Sequence, residues 1–348
     1  STNAEWAAIA LWCKKNGFLP YGNNNYGKDS RESNYKAAPS YYESGKIARV
    51  ATGTGPISWS HDKTMAGIWD LNGNVWEWQG GIRLVWGELQ ILANNDAADP
   101  DNPQNATSTC WKAINAADGA LVDPESKTTD SSAHVSGKTV KLDYVNNKWT
   151  YSTSITNAKD ESRSCVFYQV AADSSIGDAA KVMLRALALL PDSDVTTDVY
   201  EGDYMWWNNG VAERCVYRGG NWNNGANAGV FCLYGSDSRG IADTGVGFRA
   251  ACVRFICDSD TLDDLDSDKK QPEPKKRSIL APDFIGRIKQ VLARQFQKLY
   301  EAAHGEDPEG FAELAEKATA EELTKAAALS TALAQVNAAV DMYELTAK

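Results

Sequence analysis

The sequence predicts an α+β fold for residues 1–257, and three observations support this prediction. Two segments, 2–16 and 177–190, carry apolar residues at helical spacing. Short runs in which aromatic and polar residues alternate, such as Val75–Trp78, indicate β-strands. Stretches rich in Gly, Asn, Asp and Ser separate these elements and indicate long loops. Two helices combined with short strands and long loops are typical of an α+β domain.

The first helix has recognisable start and stop signals. Thr2 or Asn3 can cap its N-terminus, Glu5 is favourable in the first turn, and Gly17 ends it. Its apolar stripe is predicted to be buried and consists of Trp6, Ile9, Ala10 and Cys13.

The second helix is followed by Pro191, which stops it, and it carries a broad apolar face. Residues 94–164 are rich in Asp, Asn, Ser and Thr, and we interpret them as an insertion into the α+β domain. Within this insertion, Val140–Tyr144 and Trp149–Tyr151 alternate on either side of Asn146-Asn147. This pattern predicts an inserted β-hairpin with a two-residue turn.

Composition excludes several classes of function. The chain has 35 Lys and Arg against 46 Asp and Glu, a formal net charge of −11, which disfavours binding to nucleic acid. No apolar run reaches the ~18 residues of a membrane span, so we expect no membrane insertion. The N-terminal residues lack a basic flank, so no signal peptide is predicted. The seven cysteines form no CxxC pair, which argues against zinc and thioredoxin-like sites.

Two further regions are predicted after the first domain. Residues 258–278 form a charged linker, because an acidic run is followed by alternating Lys and Pro that keep the chain solvated. Residues 279–348 form an all-α region with apolar stripes at helical spacing. These helices either form a self-contained bundle or pack on the first domain, on another subunit or on a partner protein.

One segment, 218–254, has rigid ends and a permissive middle. Arg218-Gly219-Gly220 and Gly247-Phe248-Arg249 bracket a run of Asn, Gly, Ser and Asp that is interrupted by Val230 and Phe231. Small polar groups on a fixed scaffold are typical of a displayed binding surface. A Gly/Asn-rich loop that merely connects two strands is the alternative, and composition alone favours it.

The same segment carries a resemblance to a known family. The run RGGNWNNGANAGVF, followed by VGFRAA, resembles the variable segment of phage and bacterial proteins that retroelements diversify. Residues 67–78, GIWDLNGNVWEW, are similar to the GNVWEW motif of the superfamily that these proteins share with formylglycine-generating enzymes. The resemblance covers residues 1–256 outside the insertion. It implies a C-type-lectin-like fold and a hypervariable protein that binds a ligand or receptor.

The resemblance also implies which residues contact the ligand and which hold the scaffold. In such proteins adenines of the template are miscopied, so Asn codons are the usual source of variation. The predicted ligand-binding residues are Asn221, Asn223, Asn224, Asn227, Tyr234, Ser236, Asp237, Ser238, Ile241, Asp243 and Gly245. The predicted scaffold residues are Trp76, Glu77, Trp78, Arg218, Trp222, Phe231, Phe248 and Arg249.

Further expectations concern the pairing of Glu77, the loops around the ligand-binding residues, and the partner. Glu77 is predicted to be a buried carboxylate paired with Arg218 or Arg249, because a buried charge needs a partner. Asn23–Tyr26 and Trp206–Asn209 are predicted to rim the ligand surface. The implied partner is a variable protein or glycan ligand, such as a host-cell surface receptor. The implied location is a phage tail or a bacterial cell surface.

Catalytic alternatives lack their residues in this sequence. Formylglycine-generating enzymes bind copper through two cysteines shortly after the RGG block, where this chain has Asn224 and Gly229, and Cys232 alone cannot make the pair. The iron-dependent enzymes of the superfamily need a histidine cluster, whereas the histidines here are the widely separated His61, His134 and His304. A calcium-dependent sugar lectin would need a Glu-Pro-Asn or Gln-Pro-Asp tripeptide in its core, and residues 1–257 contain neither. The sequence therefore predicts no enzyme, no cofactor and no metal.

Overall fold

A large mixed β-sheet dominates the structure. The computed structural model describes residues 1–34, 37–192 and 199–250. Within these ranges the strands form one 12-stranded sheet and one separate two-stranded sheet. The strands are β1 (Pro39–Glu43), β2 (Lys46–Val50), β3 (Trp76–Val85), β4 (Glu88–Leu92), β5 (Trp111–Ile114), β6 (Leu121–Val122), β7 (Ser136–Val145), β8 (Lys148–Ser154), β9 (Arg163–Val166), β10 (Ala171–Ala172), β11 (Tyr204–Trp207), β12 (Arg214–Gly219), β13 (Gly229–Asp237) and β14 (Val246–Phe248).

Helices contribute little to the described residues. The α-helices there are α1 (Asn3–Lys15) and α2 (Asp178–Ala186). Short 3-10 turns occupy Ile57–Trp59, Ala93–Ala98, Phe167–Gln169 and Gly225–Asn227. None of the helices in the described ranges is long and apolar enough to cross a membrane.

The predicted α+β, C-type-lectin-like class is wrong, because the described chain is mostly β. The main reason lies in residues 94–164, which were predicted to be an insertion outside the central domain. Their strands join the main sheet, since β4 pairs with both β5 and β7. The linker predicted over 258–278 and the all-α region predicted over 279–348 lie outside the described residues.

The predicted hairpin is present, but it is part of the core. Strands β7 and β8 meet at Asn146-Asn147, where both residues adopt positive φ, as a tight two-residue turn requires. Glu88 of β4 pairs with Lys141 of β7, which connects the hairpin to the sheet. The apolar residues that mark the alternation, Val140, Leu142, Trp149 and Tyr151, all belong to the main hydrophobic core. The sheet therefore runs without interruption in the order β10-β8-β7-β4-β3-β12-β13-β11-β9.

Helix α1 covers one face of the sheet and starts as its sequence predicts. The Thr2 hydroxyl accepts a hydrogen bond from the Glu5 N–H at 3.2 Å, and the Glu5 carboxylate accepts one from the Thr2 N–H at 2.9 Å. This reciprocal pair is a capping box. Trp6 is buried and its Nε1 donates to the Val230 carbonyl at 2.7 Å. Helix α1 thus supports β13, the strand at the centre of the predicted variable segment.

Two arginines stabilise the same region in different ways. Arg218 is fully buried, and its guanidinium donates to Asn3 Oδ1 at 2.8 Å and to the Leu187 carbonyl at 3.1 Å. Burial lowers the pKa of Arg218 to about 10. Arg249 instead forms an ion pair with the buried Glu77 at 2.6 Å. Burial raises the pKa of Glu77, and Arg249 offsets part of that effect. The partner of Glu77 is therefore the second of the two arginines proposed from sequence.

Candidate ligand-binding surface

Six aromatic side chains line one face of the central strands, and we call this set the aromatic face. It consists of Trp76, Trp78, Tyr204, Trp206, Tyr217 and Tyr234. Tyr217 and Tyr234 are stacked, with ring centroids 5.1 Å apart and planes 1° from parallel. Trp78 meets Tyr217 edge-on at 4.7 Å, and Trp76 meets Trp206 edge-on at 5.9 Å. Such offset and edge-to-face contacts are the favourable geometries for aromatic pairs.

Strand register explains why these side chains meet. Trp78 pairs with Tyr217, Tyr217 pairs with Tyr234, and Tyr234 pairs with Trp206 on the next strand. Residues paired across neighbouring strands point to the same side of a sheet. Alternation along each strand sends the intervening residues to the opposite side. There Phe231, Leu233, Met205 and Trp207 are buried in the main core.

The aromatic face is only partly covered. Trp76 and Tyr217 are buried at its centre, whereas Trp78, Tyr204, Trp206 and Tyr234 are each half-buried. Phe248, predicted as scaffold, is 79% exposed and pairs with Trp78 through β14. A contiguous set of partly exposed aromatic rings is a feature of binding sites more than of ordinary surface.

Residues 238–245, which we call the crossing segment, run beside this face. Strand β13 ends at Asp237, opposite Cys215, and β14 begins at Val246, beside Trp76. The chain must therefore return along the length of β12 between these two points. The Tyr217 hydroxyl donates a hydrogen bond to Asp237. Burial raises the pKa of Tyr217, as do this hydrogen bond and the charge on nearby Asp243.

A second turn, residues 221–228, lies against the far end of the crossing segment. A methyl group added at Gly245 would come within 2.9 Å of Asn221 Nδ2, so the two segments are in contact. The Tyr26 N–H donates to the Trp222 carbonyl at 2.8 Å. The Gly225 N–H donates to the Asn24 carbonyl at 2.9 Å. The structure thus places the predicted rim loop 23–26 next to this turn.

The predicted ligand-binding residues differ in exposure. Those that are exposed are Asn223, Ser238, Ile241 and Asp243. Those that are half-buried are Asn221, Asn224, Asn227, Tyr234 and Asp237. The remaining two, Ser236 and Gly245, are buried.

Several of these side chains also hold the surface together. Asn224 Oδ1 accepts from the Asn221 N–H at 2.8 Å, and Asp243 Oδ1 accepts from the Gly245 N–H at 2.8 Å. Ser236 Oγ accepts from the Ser162 hydroxyl at 2.9 Å. These side chains therefore hold the turns and the end of β13 in place, in addition to being candidates for ligand contact. Asparagine and aspartate fix turns through such bonds to nearby backbone.

Sequence reasoning gave no role to two members of the aromatic face. Tyr204 and Tyr217 were not assigned, while Trp78 was predicted as scaffold and Trp206 as part of a rim. The available signal was the two-residue spacing of the aromatics within Trp76–Trp78 and Tyr204–Trp206. That spacing shows that each pair shares a side of its strand. It does not show that the two strands are near each other.

A cavity of about 400 Å³ borders the same turn. Ala226 and Ala228 line one part of it, and Arg31 and Glu201 line another. Arg31 already forms ion pairs with Asp29 and Glu201, and its guanidinium lies 3.7 Å from the centre of the Tyr21 ring. The charges of this cavity are satisfied by one another.

The residues that were weighed for catalysis in the described ranges can be placed in the fold. Asn224 precedes the 3-10 turn Gly225–Asn227, and Gly229 begins β13. Cys232 is fully buried beneath the aromatic face, and burial raises the pKa of its thiol. In the part of the chain that the structure describes, no group of three or more His, Cys, Asp or Glu residues is arranged to hold a metal ion.

Comparison with known proteins gives no family for this chain. No protein-family model matches it, and no curated protein matches it at a significant level. The fold and the surface therefore describe this chain only by its structure. It is a mostly β protein in which one face of the sheet carries partly exposed aromatic side chains. Polar turns border that face, and a buried strand and helix support it.

Proposed function

We propose that this chain is a binding protein whose contact residues are diversified by a retroelement. The contact surface comprises the turn 221–228, the crossing segment and the adjoining aromatic face. The observation that supports this proposal most directly is a contrast in burial between β13 and the turns on either side of it. Strand β13 is almost wholly buried, whereas the turns before and after it carry exposed residues that Asn codons can generate by changes at adenine.

Variation at the turns is compatible with a stable fold. Phe231 and Leu233 anchor β13 in the core, and Trp6 bonds to the backbone of Val230. Loops on a rigid scaffold are the places where sequence can change at least cost to stability. The half-buried aromatic rings supply rigid contact area, which is typical of residues that dominate binding energy.

We further propose that the ligand is a surface receptor of a host cell and that the protein is displayed on a phage tail or a bacterial surface. The acidic net charge of −11 supports a ligand other than nucleic acid. Neighbouring genes provide a direct check on diversification. We expect a reverse transcriptase gene and a near-copy template repeat close to this gene, and their absence would contradict the diversification.

The binding surface is tested by changing exposed residues whose bonds within the turns come from their backbone, not from their side chains. The triple variant N223S/S238Y/I241N should keep the free energy of unfolding within about 0.5 kcal/mol of the wild type, as exposed substitutions usually do. Its binding to a panel of bacterial strains, measured by flow cytometry with labelled protein, should fall or move to other strains.

The matched control is Y42S/V135S/V182S, which changes three exposed apolar residues elsewhere on the protein. This control should bind the same strains as the wild type. Two outcomes would contradict the proposed surface. In one, N223S/S238Y/I241N binds the same strains as the wild type, as the control does. In the other, N223S/S238Y/I241N unfolds, which would show that the changed residues are structural.

A further inference from the structure

A groove of about 280 Å³ continues the aromatic face beyond Trp78. Trp78 lines this groove and also contacts Tyr217, so it belongs to both features. Trp111 lines the groove as well and is only 3% exposed. Arg83 lies 4.2 Å from the Trp111 ring, which fixes the orientation of this indole. The groove is therefore lined by the half-buried Trp78 and the buried Trp111, at one end of a row of aromatic side chains.

Hydrogen-bond donors with fixed positions surround these rings. Gln104 accepts from the Gly81 N–H at 2.7 Å and donates to the Ala97 carbonyl at 2.9 Å. Gln79 donates to the Glu77 carbonyl at 3.0 Å. A side-chain amide nitrogen carries two hydrogens, so each glutamine can donate a second bond. Gln79 and Gln104 both line the groove, and the hydrogen bonds of their amides hold the two side chains in place.

Arg239 is the charged residue among those that line the groove, and it is already paired with a carboxylate. Arg83 and Arg239 share the carboxylate of Glu213, each at 2.8 Å. Asp237, which accepts a hydrogen bond from Tyr217, is paired across the strands with Cys215 of the groove lining. The charged side chain of the lining is thus held in an ion pair, so the groove leaves no free charge to attract an anion or a cation. Charge complementarity favours an uncharged ligand with many hydroxyl groups.

We propose that the groove and the aromatic face bind a neutral glycan. A pyranose ring has an apolar C–H face, which packs on an indole, and hydroxyls at its edge, which accept bonds from the glutamine amides. The first ring lies against Trp78, and the following rings lie along Tyr234 and Trp206. This inference rests on the proposed function, because it names the ligand class of the same surface.

Isothermal titration calorimetry of the full chain tests the ligand class directly. The probes are the neutral oligosaccharides cellohexaose, maltohexaose, mannohexaose and chitohexaose, with a hyaluronan hexasaccharide as the anionic comparison. We expect saturable binding to at least one neutral probe. Substitution W78A should weaken that binding about fivefold, since a stacking partner contributes on the order of 1 kcal/mol.

Two other tryptophan variants serve as controls. W12A removes a 39% exposed tryptophan on α1 and should leave affinity unchanged. W78F keeps an aromatic contact with Tyr217 and should give an intermediate affinity, which separates lost stacking from lost folding. Absence of binding to every neutral probe at millimolar concentration overturns the proposal. So does a preference for hyaluronan, or equal weakening by W12A and W78A.

A cell-binding experiment distinguishes this inference from the proposed function. Cells that bind the protein are treated either with periodate, which cleaves sugar diols, or with protease. Loss of binding after periodate alone supports the glycan. Loss after protease alone identifies a protein receptor, which overturns the glycan while the proposed binding function stands. If no strain in the panel binds the protein, the proposed function fails and calorimetry decides the glycan by itself.

Discussion

At the scale of single residues, the fully buried Arg218 and the partly buried Arg249 show two ways to stabilise a guanidinium. Arg218 is surrounded by neutral oxygens, because Asn3 and the carbonyls of Leu187 and Ala188 accept its hydrogen bonds. Arg249 has the carboxylate of Glu77, and the pair connects β3 with the residue after β14. The second arrangement is the more sensitive to mutation, since loss of one partner leaves an unpaired charge in the interior.

Substitution R249M should therefore destabilise the fold by about 3 kcal/mol, because Glu77 stays buried without its cation. The measurement is the free energy of unfolding from urea titration. Arg214 provides the matched control, since its ion pair with the largely exposed Asp160 is long, at 3.5 Å. R214M should cost about 1 kcal/mol or less. Equal effects of the two substitutions would show that the Glu77 pair is not structural.

At the scale of elements, the β7–β8 hairpin enlarges the main hydrophobic core, because its apolar side chains are part of that core. As an inserted hairpin it would be dispensable, but its pairing with β4 makes it part of the central sheet. Trp149 of β8 is fully buried, and its Nε1 donates to the Arg163 carbonyl at 3.0 Å. Its ring also meets Tyr144 at 4.8 Å. The hairpin therefore contributes to the same hydrophobic core that supports the aromatic face.

We predict that W149A destabilises the whole described domain by about 3–5 kcal/mol, the usual cost of truncating a buried tryptophan. W12A, at a 39% exposed position, should cost only about 1 kcal/mol. Both are measured by urea unfolding followed by far-UV circular dichroism. A separate, early transition in W149A, with the main transition unchanged, would mean that the hairpin is an independent appendage.

At the scale of the whole molecule, the buried Asp70 and the partly exposed Glu125 make stability depend on pH in two opposite directions. Burial raises the pKa of Asp70 to about 6, against a reference of 3.8. The native state then holds its proton more tightly, so stability is lost as pH rises from about 4 through 6. Burial also acts to raise the pKa of Glu125, but hydrogen bonds led by that from Lys141 outweigh it and lower the pKa to about 2, against 4.5. This contribution is present above pH 4.5 and is lost as pH falls towards 2.

The two groups can be separated by substitution. Melting temperatures measured from pH 2 to pH 8 at constant ionic strength should show that D70N removes much of the decline between pH 4 and pH 6. E125Q should remove much of the rise between pH 2 and pH 4.5 and leave the upper range as in the wild type. Unaltered slopes in both variants would show that other groups govern the pH dependence.

Part of this structure could be predicted because it depends on residues close in sequence. The capping box of Thr2 and Glu5 acts within one helical turn, and the Asn146-Asn147 turn joins two strands directly. The aromatics of Trp76–Trp78 share a face because side chains alternate along any strand. The pairing of Glu77 with an arginine followed from the cost of burying a lone carboxylate.

The fold class and the aromatic face depended on strand order, which no local pattern specifies. Backbone hydrogen bonds form between any two strands, so alternation in 140–151 could not show that β7 joins β4. In the same way, Tyr217 became a neighbour of Trp76 and Trp78, and Tyr204 joined the aromatic face through Trp206, only through the register of four strands. The sequence by itself determined the capping box of α1, the Asn146-Asn147 turn and the shared face of Trp76 and Trp78, because those are short-range effects. Tertiary structure alone decided which faces meet, because contacts far apart in sequence depend on how the whole sheet packs.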